Sequence, residues 1–205
     1  MSPSDPAQAA ARRSPREITV AARVLAAGPP PRVRPAPPFA ARPAGDHGAD
    51  LDLVHAWMNR PHVAAFYDQA WSRRRWAEEL AAQRAGTFSR PHIVSHEGTD
   101  VAYVELYRAA RDVVAAHYAA DPHDVGVHIA IGAAERTGTG LGRRVLDALA
   151  TAVFAADPRC RRVVMEPDAA NTAARRAAEG AGLRFVAEVD LPHKRAALLV
   201  RTRKE

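Results

Sequence analysis

The chain has 205 residues, 47% of them hydrophobic and 25% charged, and a formal net charge of +6, the composition of a soluble protein able to bury one sizeable core. No apolar run is long enough to span a bilayer and no charged-then-apolar leader opens the chain. The single cysteine, Cys160, excludes an internal disulfide and a cysteine-built zinc site, so a reduced, cytoplasmic protein is expected. Residues 1–44 carry seven arginines against Asp5 and Glu17. The rest is therefore close to neutral, and no nucleic-acid-binding face is expected on it.

Residues 1–16 are small, polar and proline-dotted, the composition of a disordered start. Ile18, Val20 and Val24 alternate with other residues, which predicts a short strand over residues 17–24. Residues 28–43 hold seven prolines and read as an extended connector. Ten of the sixteen prolines precede Gly45. Residues 1–44 are thus expected to form a Pro/Arg-rich extension, partly disordered, and residues 45–205 the compact domain. Asp50 is placed to cap a helix carrying Leu51, Val54, His55 and Met58, which Pro61 interrupts. A short helix follows through Val63 and Phe66, and Trp71 and Trp76 bracket another that ends at Gly86. Residues 93–96 and 101–107 read as adjacent strands with a turn at 97–100. Residues 111–118 show no clear period, and 121–124 form a turn with no metal-ligand spacing.

In the next stretch Val125, Val127, Ile129 and Ile131 alternate with Gly126, His128 and Ala130, a strand's period of two. Gly138, Gly140 and Gly142 come next, opening a helix with Leu141, Val145, Leu146 and Leu149 on one face. A glycine loop at a helix N-terminus offers free backbone N–H groups and a positive dipole end, a site for phosphate or pyrophosphate. Arg136, Arg143 and Arg144 flank it. Arg143 stands where a GxGxxG fingerprint needs its third glycine, and no GxxxxGK[ST] is present. Residues 162–166 then read as a strand, 171–180 as a helix, and 182–189 and 195–201 as two final strands. The order implies a mixed α/β sheet with one phosphate-bearing crossover.

The strand, the loop Thr137-Gly138-Thr139-Gly140-Leu141-Gly142, its helix, the Asn171 helix and Gly182-Leu183 together resemble the GCN5-related N-acetyltransferase (GNAT) superfamily. That resemblance implies a mixed, mostly antiparallel central sheet flanked by helices, with the loop cradling the pyrophosphate of coenzyme A. Thr137 stands where the family usually has Gln or Arg, which matters little when backbone amides do the work. Many members carry a tyrosine seven residues after the asparagine to protonate the departing thiolate, and here that position is Ala178. A narrower resemblance rests on four ordered motifs. They are His55-Ala56-Trp57-Met58-Asn59-Arg60-Pro61-His62-Val63, Tyr103-Val104-Glu105-Leu106-Tyr107, Asp121-Pro122-His123-Asp124-Val125-Gly126-Val127-His128 and Glu166-Pro167-Asp168-Ala169-Ala170-Asn171-Thr172. These are similar to the siderophore acyltransferases, the lysine acyltransferases of mycobactin assembly and the hydroxylysine acetyltransferases of aerobactin assembly.

The resemblance implies His128 and Asp168 as the functional pair, with His128 orienting the acceptor and Asp168 taking its proton. A nitrogen attacking a thioester must lose a proton, so a base within reach helps. A side-chain hydroxylamine is already neutral at pH 7 and needs orientation more than deep deprotonation. Without the resemblance, His128 reads first as a half-buried histidine and Asp168 as a cap beside Asn171. Trp57, His62, Phe66, Glu105 and Tyr107 are candidates for the acceptor and acyl pocket, although aromatics are more often core. Ile129, Ile131, Thr137, Gly138, Thr139, Gly140, Leu141, Gly142, Arg143 and Asn171 are expected to hold an acyl-CoA co-substrate, with no metal. Cys160, between arginines and without a histidine partner, is a poor nucleophile candidate.

The expected activity is N-acyl transfer from acyl-CoA, or from an acyl carrier protein, to the side-chain amine or N-hydroxyamine of lysine or a related diamine or ornithine. The alternatives are a GNAT N-acetyltransferase acting on an antibiotic or protein amine, and a non-catalytic acyl-CoA sensor. No membrane span and no nucleic-acid partner are expected, and the oligomeric state is open.

Overall fold

The computed structural model describes residues 16–204, and the expected disorder of residues 1–15 lies outside them. Seven strands form one sheet: β1 (Phe39–Pro43), β2 (Ser89–His96), β3 (Thr99–Arg108), β4 (Val125–Ile131), β5 (Arg162–Met165), β6 (Arg184–Leu191) and β7 (Lys194–Thr202). The spatial order is β1-β2-β3-β4-β5-β7-β6. Every neighbouring pair is antiparallel except β4 and β5, which run parallel. The helices are α1 (Ala22–Leu25), α2 (Gly48–Met58), α3 (Pro61–Ala64), α4 (Arg73–Ala85), α5 (Leu141–Ala156) and α6 (Thr172–Gly180). The mixed, mostly antiparallel sheet with flanking helices is the architecture expected. No helix among the described residues is long and apolar enough to cross a membrane.

Strand alternation sorts the sheet into two faces. Val104, Leu106, Val125 and Val127 bury against the Leu141, Val145, Leu146, Leu149 and Val153 stripe of α5, forming the main core. Tyr103 and Ala130 face the other way, onto Trp57 of α2 and Trp76 and Leu80 of α4. Cross-strand partners share a face. The pairings Glu105↔His128 and Tyr107↔Gly126 therefore put Glu105, Tyr107 and His128 on that second side. Gly126 is needed there, because a Cβ on it would lie 1.9 Å from Cζ of the fully buried Tyr107.

The parallel pair is short: only Val125↔Val163 and Gly126↔Val164 are in register. Beyond them β5 ends at Met165 while β4 runs on to Ile131, so the sheet parts and a cleft opens between β4 and the start of α6.

Several local expectations shift. Residues 17–24 form no strand; Glu17 makes an isolated bridge to Asp112, and the single turn α1 follows. The connector ends in β1, the edge strand paired with β2. Helix α2 starts at Gly48, because the Asp50 carboxylate accepts the Gly45 N–H at 2.9 Å and pairs with Arg42 instead of capping. The β2–β3 turn is the two-residue pair Glu97-Gly98, both at positive φ as a tight hairpin requires. Residues 109–117 hold two 3₁₀ turns, the second capped by Asp112 through the Val114 N–H.

Residues 16–44, within the expected extension, pack on the sheet. Val33 is buried in the main core. The Arg108 guanidinium donates to the carbonyls of Ala27, Gly28 and Pro29 and to Asp157, and Arg90 donates to the Pro30 carbonyl.

Candidate active site

The cleft is lined on the β4 side by Ile129, Ala130 and Ile131, and opposite by Met165, Asn171, Ala173, Ala174 and Ala177. His62, Val63, Phe66 and Tyr67 form its outer wall, and Thr137, Gly142 and Leu146 line its loop end. Asn171 caps α6, its Oδ1 accepting the Ala174 N–H at 3.0 Å. His62 donates from Nε2 to the Ile131 carbonyl at 3.0 Å. Phe66 is exposed at the mouth. Trp57 is buried beneath Gly132, where a Cβ would lie 2.2 Å from its ring, and it does not line the cleft.

At the loop, Gly138 and Gly140 both take left-handed φ, and a Cβ on either would meet nothing within 4 Å. No side chain caps α5, whose N-cap is Gly140. The first-turn N–H groups of the helix are thus open beside an unobstructed backbone loop, a fit for a pyrophosphate. Thr137 and Thr139 tie the loop to itself through the Ala134 and Arg136 carbonyls. Leu141 is buried core, and Arg143 packs its stem across Gly180 at the end of α6.

On the second side of the sheet lies a buried charged cluster built on His128. Its Nδ1 faces Glu105 Oε2 at 3.0 Å, and its Nε2 is hydrogen-bonded to Glu166 Oε1. With a carboxylate at each nitrogen, both must donate, which is the imidazolium form. Tyr107 donates from its hydroxyl to Glu166 Oε2 at 2.6 Å and lies against the His128 ring, centroids 4.8 Å apart. Lys194 Nζ approaches Glu166 at 3.9 Å.

Burial alone would lower the His128 pKa, but the Glu166 and Glu105 carboxylates outweigh it and hold it above the ordinary imidazole value. Burial pushes Glu105 up, yet Arg16 and His128 hold its carboxyl down at about 2. Glu166 is likewise held below the carboxylate range by His128 in spite of its burial. Tyr67, in the cleft wall, is pushed up by burial and by the two carboxylates, so it stays a neutral donor. Its hydroxyl meets the Ile129 backbone in the cleft wall.

Asp168 lies past the end of β5, bridged to Ala196, and its Oδ1 accepts the Ala170 N–H at 2.8 Å in the turn into α6. The carboxylates on His128 are Glu105 and Glu166. Glu166 lies in the quoted Glu166-Pro167-Asp168 motif, and its signal is position: a carboxylate directly after a four-residue strand that runs beside β4. Arg16, Tyr67, Asp112 and Lys194 have no such sequence signal, because non-local packing brings them in. Ala178 is fully buried core and supplies no acid. Burial pushes the Cys160 thiol up to about 12, which makes it inert.

Residues 46–191 match the acetyltransferase (GNAT) domain family. The lysine N-acyltransferase MbtK of Mycobacterium sp. (strain MCS) is 47% identical over 185 residues, covering 90% of this chain and 75% of that protein. The N(6)-hydroxylysine O-acetyltransferase of Escherichia coli is 30% identical over 158 residues, 77% of this chain and 50% of that one. Among solved structures, the aminoglycoside acetyltransferase AAC(6')-Ib in complex with coenzyme A superposes with a TM-score of 0.71 at 25% identity, over 80% of this chain and 95% of that one. Parted strands, open loop and sequence likeness agree, and the chain belongs to the GNAT acetyltransferase family as an acyltransferase.

Proposed function

We propose that this chain is an acyl-CoA-dependent N-acyltransferase of hydroxamate siderophore assembly, acting on the side-chain amine or hydroxylamine of lysine or a related diamine or ornithine. The observation that carries the reading is a histidine held between two buried carboxylates beside a cleft shaped for a thioester donor. Similarity to lysine and hydroxylysine acyltransferases supports the acceptor class.

The donor, a CoA thioester or an acylated carrier protein, supplies the electrophilic carbonyl. The open first turn of α5 and the loop from Thr137 to Gly142 hold the pyrophosphate, and the β4 backbone from Ile129 to Ile131, with Asn171 opposite, lines the path of the pantetheine arm. The reacting form is the one in which the His128 ring has given up its extra proton. As the neutral acceptor nitrogen bonds to the carbonyl carbon and the C–S bond breaks, the N–H proton passes to that neutral ring, and Glu166 stabilises the imidazolium that results. With Ala178 at the usual tyrosine position, the same pair returns that proton to the departing sulfur. Glu166 takes the role that the motif alone suggests for Asp168, and Glu105 fixes the other face of the ring. Transfer from a CoA thioester fits a cytoplasmic setting.

Mass spectrometry of products tests this directly. Lysine, hydroxylysine, hydroxyornithine, hydroxycadaverine and an aminoglycoside panel are each offered with acyl-CoA or an acylated carrier protein. An acylated lysine-type or hydroxylamine-type product is expected. Turnover of aminoglycosides alone, or CoA binding without turnover of any amine, would contradict it.

A further inference from the structure

The charged cluster includes a residue that lies outside the family-matched residues 46–191. Arg16 donates from Nη2 to both oxygens of Glu105, at 3.0 and 2.8 Å, and from Nη1 to Asp112 at 2.9 Å. Its guanidinium lies 5.1 Å from the Tyr107 ring centroid and 5.7 Å from that of Phe88. The segment carrying it is fixed to the turn after β3. Val113 N–H donates to the Arg16 carbonyl at 3.0 Å, Ile18 N–H to the Arg111 carbonyl at 2.9 Å, and Glu17 pairs with Arg111. Beyond it, the Arg108 clamp and strand β1 hold the rest of the strap against the sheet.

We infer that Arg16 is a positioning residue of this site: gripping both Glu105 oxygens, it presents Oε2 to His128 Nδ1 and sets a fixed positive charge against the imidazolium. The forked contact is what a planar guanidinium supplies and an ammonium does not. Without Arg16, Glu105 keeps its contacts to His128 and Ser89 but loses the fork that fixes which oxygen faces Nδ1.

The groups facing His128 set the sign of the effect. Glu105 from β3 and Glu166 after β5 favour its proton; Arg16 from the strap opposes it. Asp112, on the other side of Arg16, is lifted above the ordinary carboxylate value by burial and by Glu166, and accepts from the guanidinium's second edge at 2.9 Å. Lys194, on β7, places positive charge near Glu166, while burial and Lys194 hold the pKa of His193, just before β7, below the ordinary imidazole value. Tyr107 and Tyr67 are pushed up by burial and stay neutral. Loss of Arg16 removes a fixed cation and leaves the anions, so the His128 pKa must rise.

The inference rests on the proposed function only for its kinetic readout. NMR titration of histidine-labelled full-length protein, with the His128 signal assigned by its loss in His128→Gln, reads the site without substrate. In a folded Arg16→Gln variant the His128 midpoint is expected to rise by about one pH unit, and the pH profile of kcat/KM to move the same way. An unchanged or lowered midpoint would overturn the inference. If Arg16→Gln does not fold, Arg16→Lys decides: charge without the fork is expected to lower kcat several-fold, with partial loss of the Glu105 contact. Wild-type kcat and midpoint in R16K would overturn it. A shifted midpoint in a protein that acylates no amine would leave the inference standing and remove the proposed function.

Discussion

Glu166→Gln is expected to lower kcat by about 10²–10⁴-fold, the range associated with removing a positioned proton-transfer group. The change keeps the volume, and the amide can still meet His128 Nε2 and the Tyr107 hydroxyl with one of the two bonds reversed, but it removes the charge that holds the proton on the ring. Its control is Asp168→Asn. That carboxylate accepts the Ala170 amide in a turn, an asparagine oxygen accepts equally well, and less than about a tenfold loss is expected. Steady-state kinetics with circular dichroism on both variants checks the contrast. Equal, large losses would mean that Asp168 reaches the reacting nitrogen, and a fully active Glu166→Gln would remove the His128–Glu166 pair from the chemistry.

Gly126→Ala carries the largest expected loss of stability. Its Cβ would sit 1.9 to 2.4 Å from three atoms of the Tyr107 ring, and Tyr107 is fully buried between Phe88 and His128. Neither strand backbone gives way easily, since β3 and β4 are paired over seven residues. Overpacking of this kind costs about 1–3 kcal/mol or somewhat more, which for a chain of this size is a fall in Tm of about 2–10 °C. The displaced ring also withdraws its hydroxyl from Glu166, so activity falls with stability. A double-mutant cycle with Tyr107→Ala isolates the cause: in that background Gly126→Ala should cost little. A full penalty in both backgrounds would locate the strain in the β4 backbone instead.

The strand, glycine loop and helix of residues 125–156 were legible in the sequence because they are local. One stretch encodes an alternating strand, a glycine loop and an amphipathic helix, and the structure places Gly138 and Gly140 in left-handed conformations opening α5. The charged cluster around His128 was legible only in part. Glu105 and His128 were visible as motif residues, but their contact depends on the β3–β4 register, which no local pattern states. Glu166 differs from Asp168 by two residues in one motif, and only the end of β5 at Met165 decides which carboxylate turns in to His128. Strap residues 16–43 misled for a different reason. Their prolines and arginines read as an extension, whereas buried Arg108 satisfies their carbonyls and the β2 edge takes up β1. Edge pairing and side-chain-to-carbonyl clamps leave no periodicity to read.

The most direct test of the site's chemistry is kcat/KM against pH with a side-chain hydroxylamine acceptor, which is uncharged near neutrality and so leaves the enzyme's own group to set the profile. If neutral His128 takes the proton, the rate rises with pH through an ionisation above the ordinary imidazole value of 6.5, since the carboxylates hold the proton on. In Glu166→Gln the same limb moves to lower pH, because the charge that raised it is gone. A flat profile, or the same midpoint in both proteins, would contradict the account.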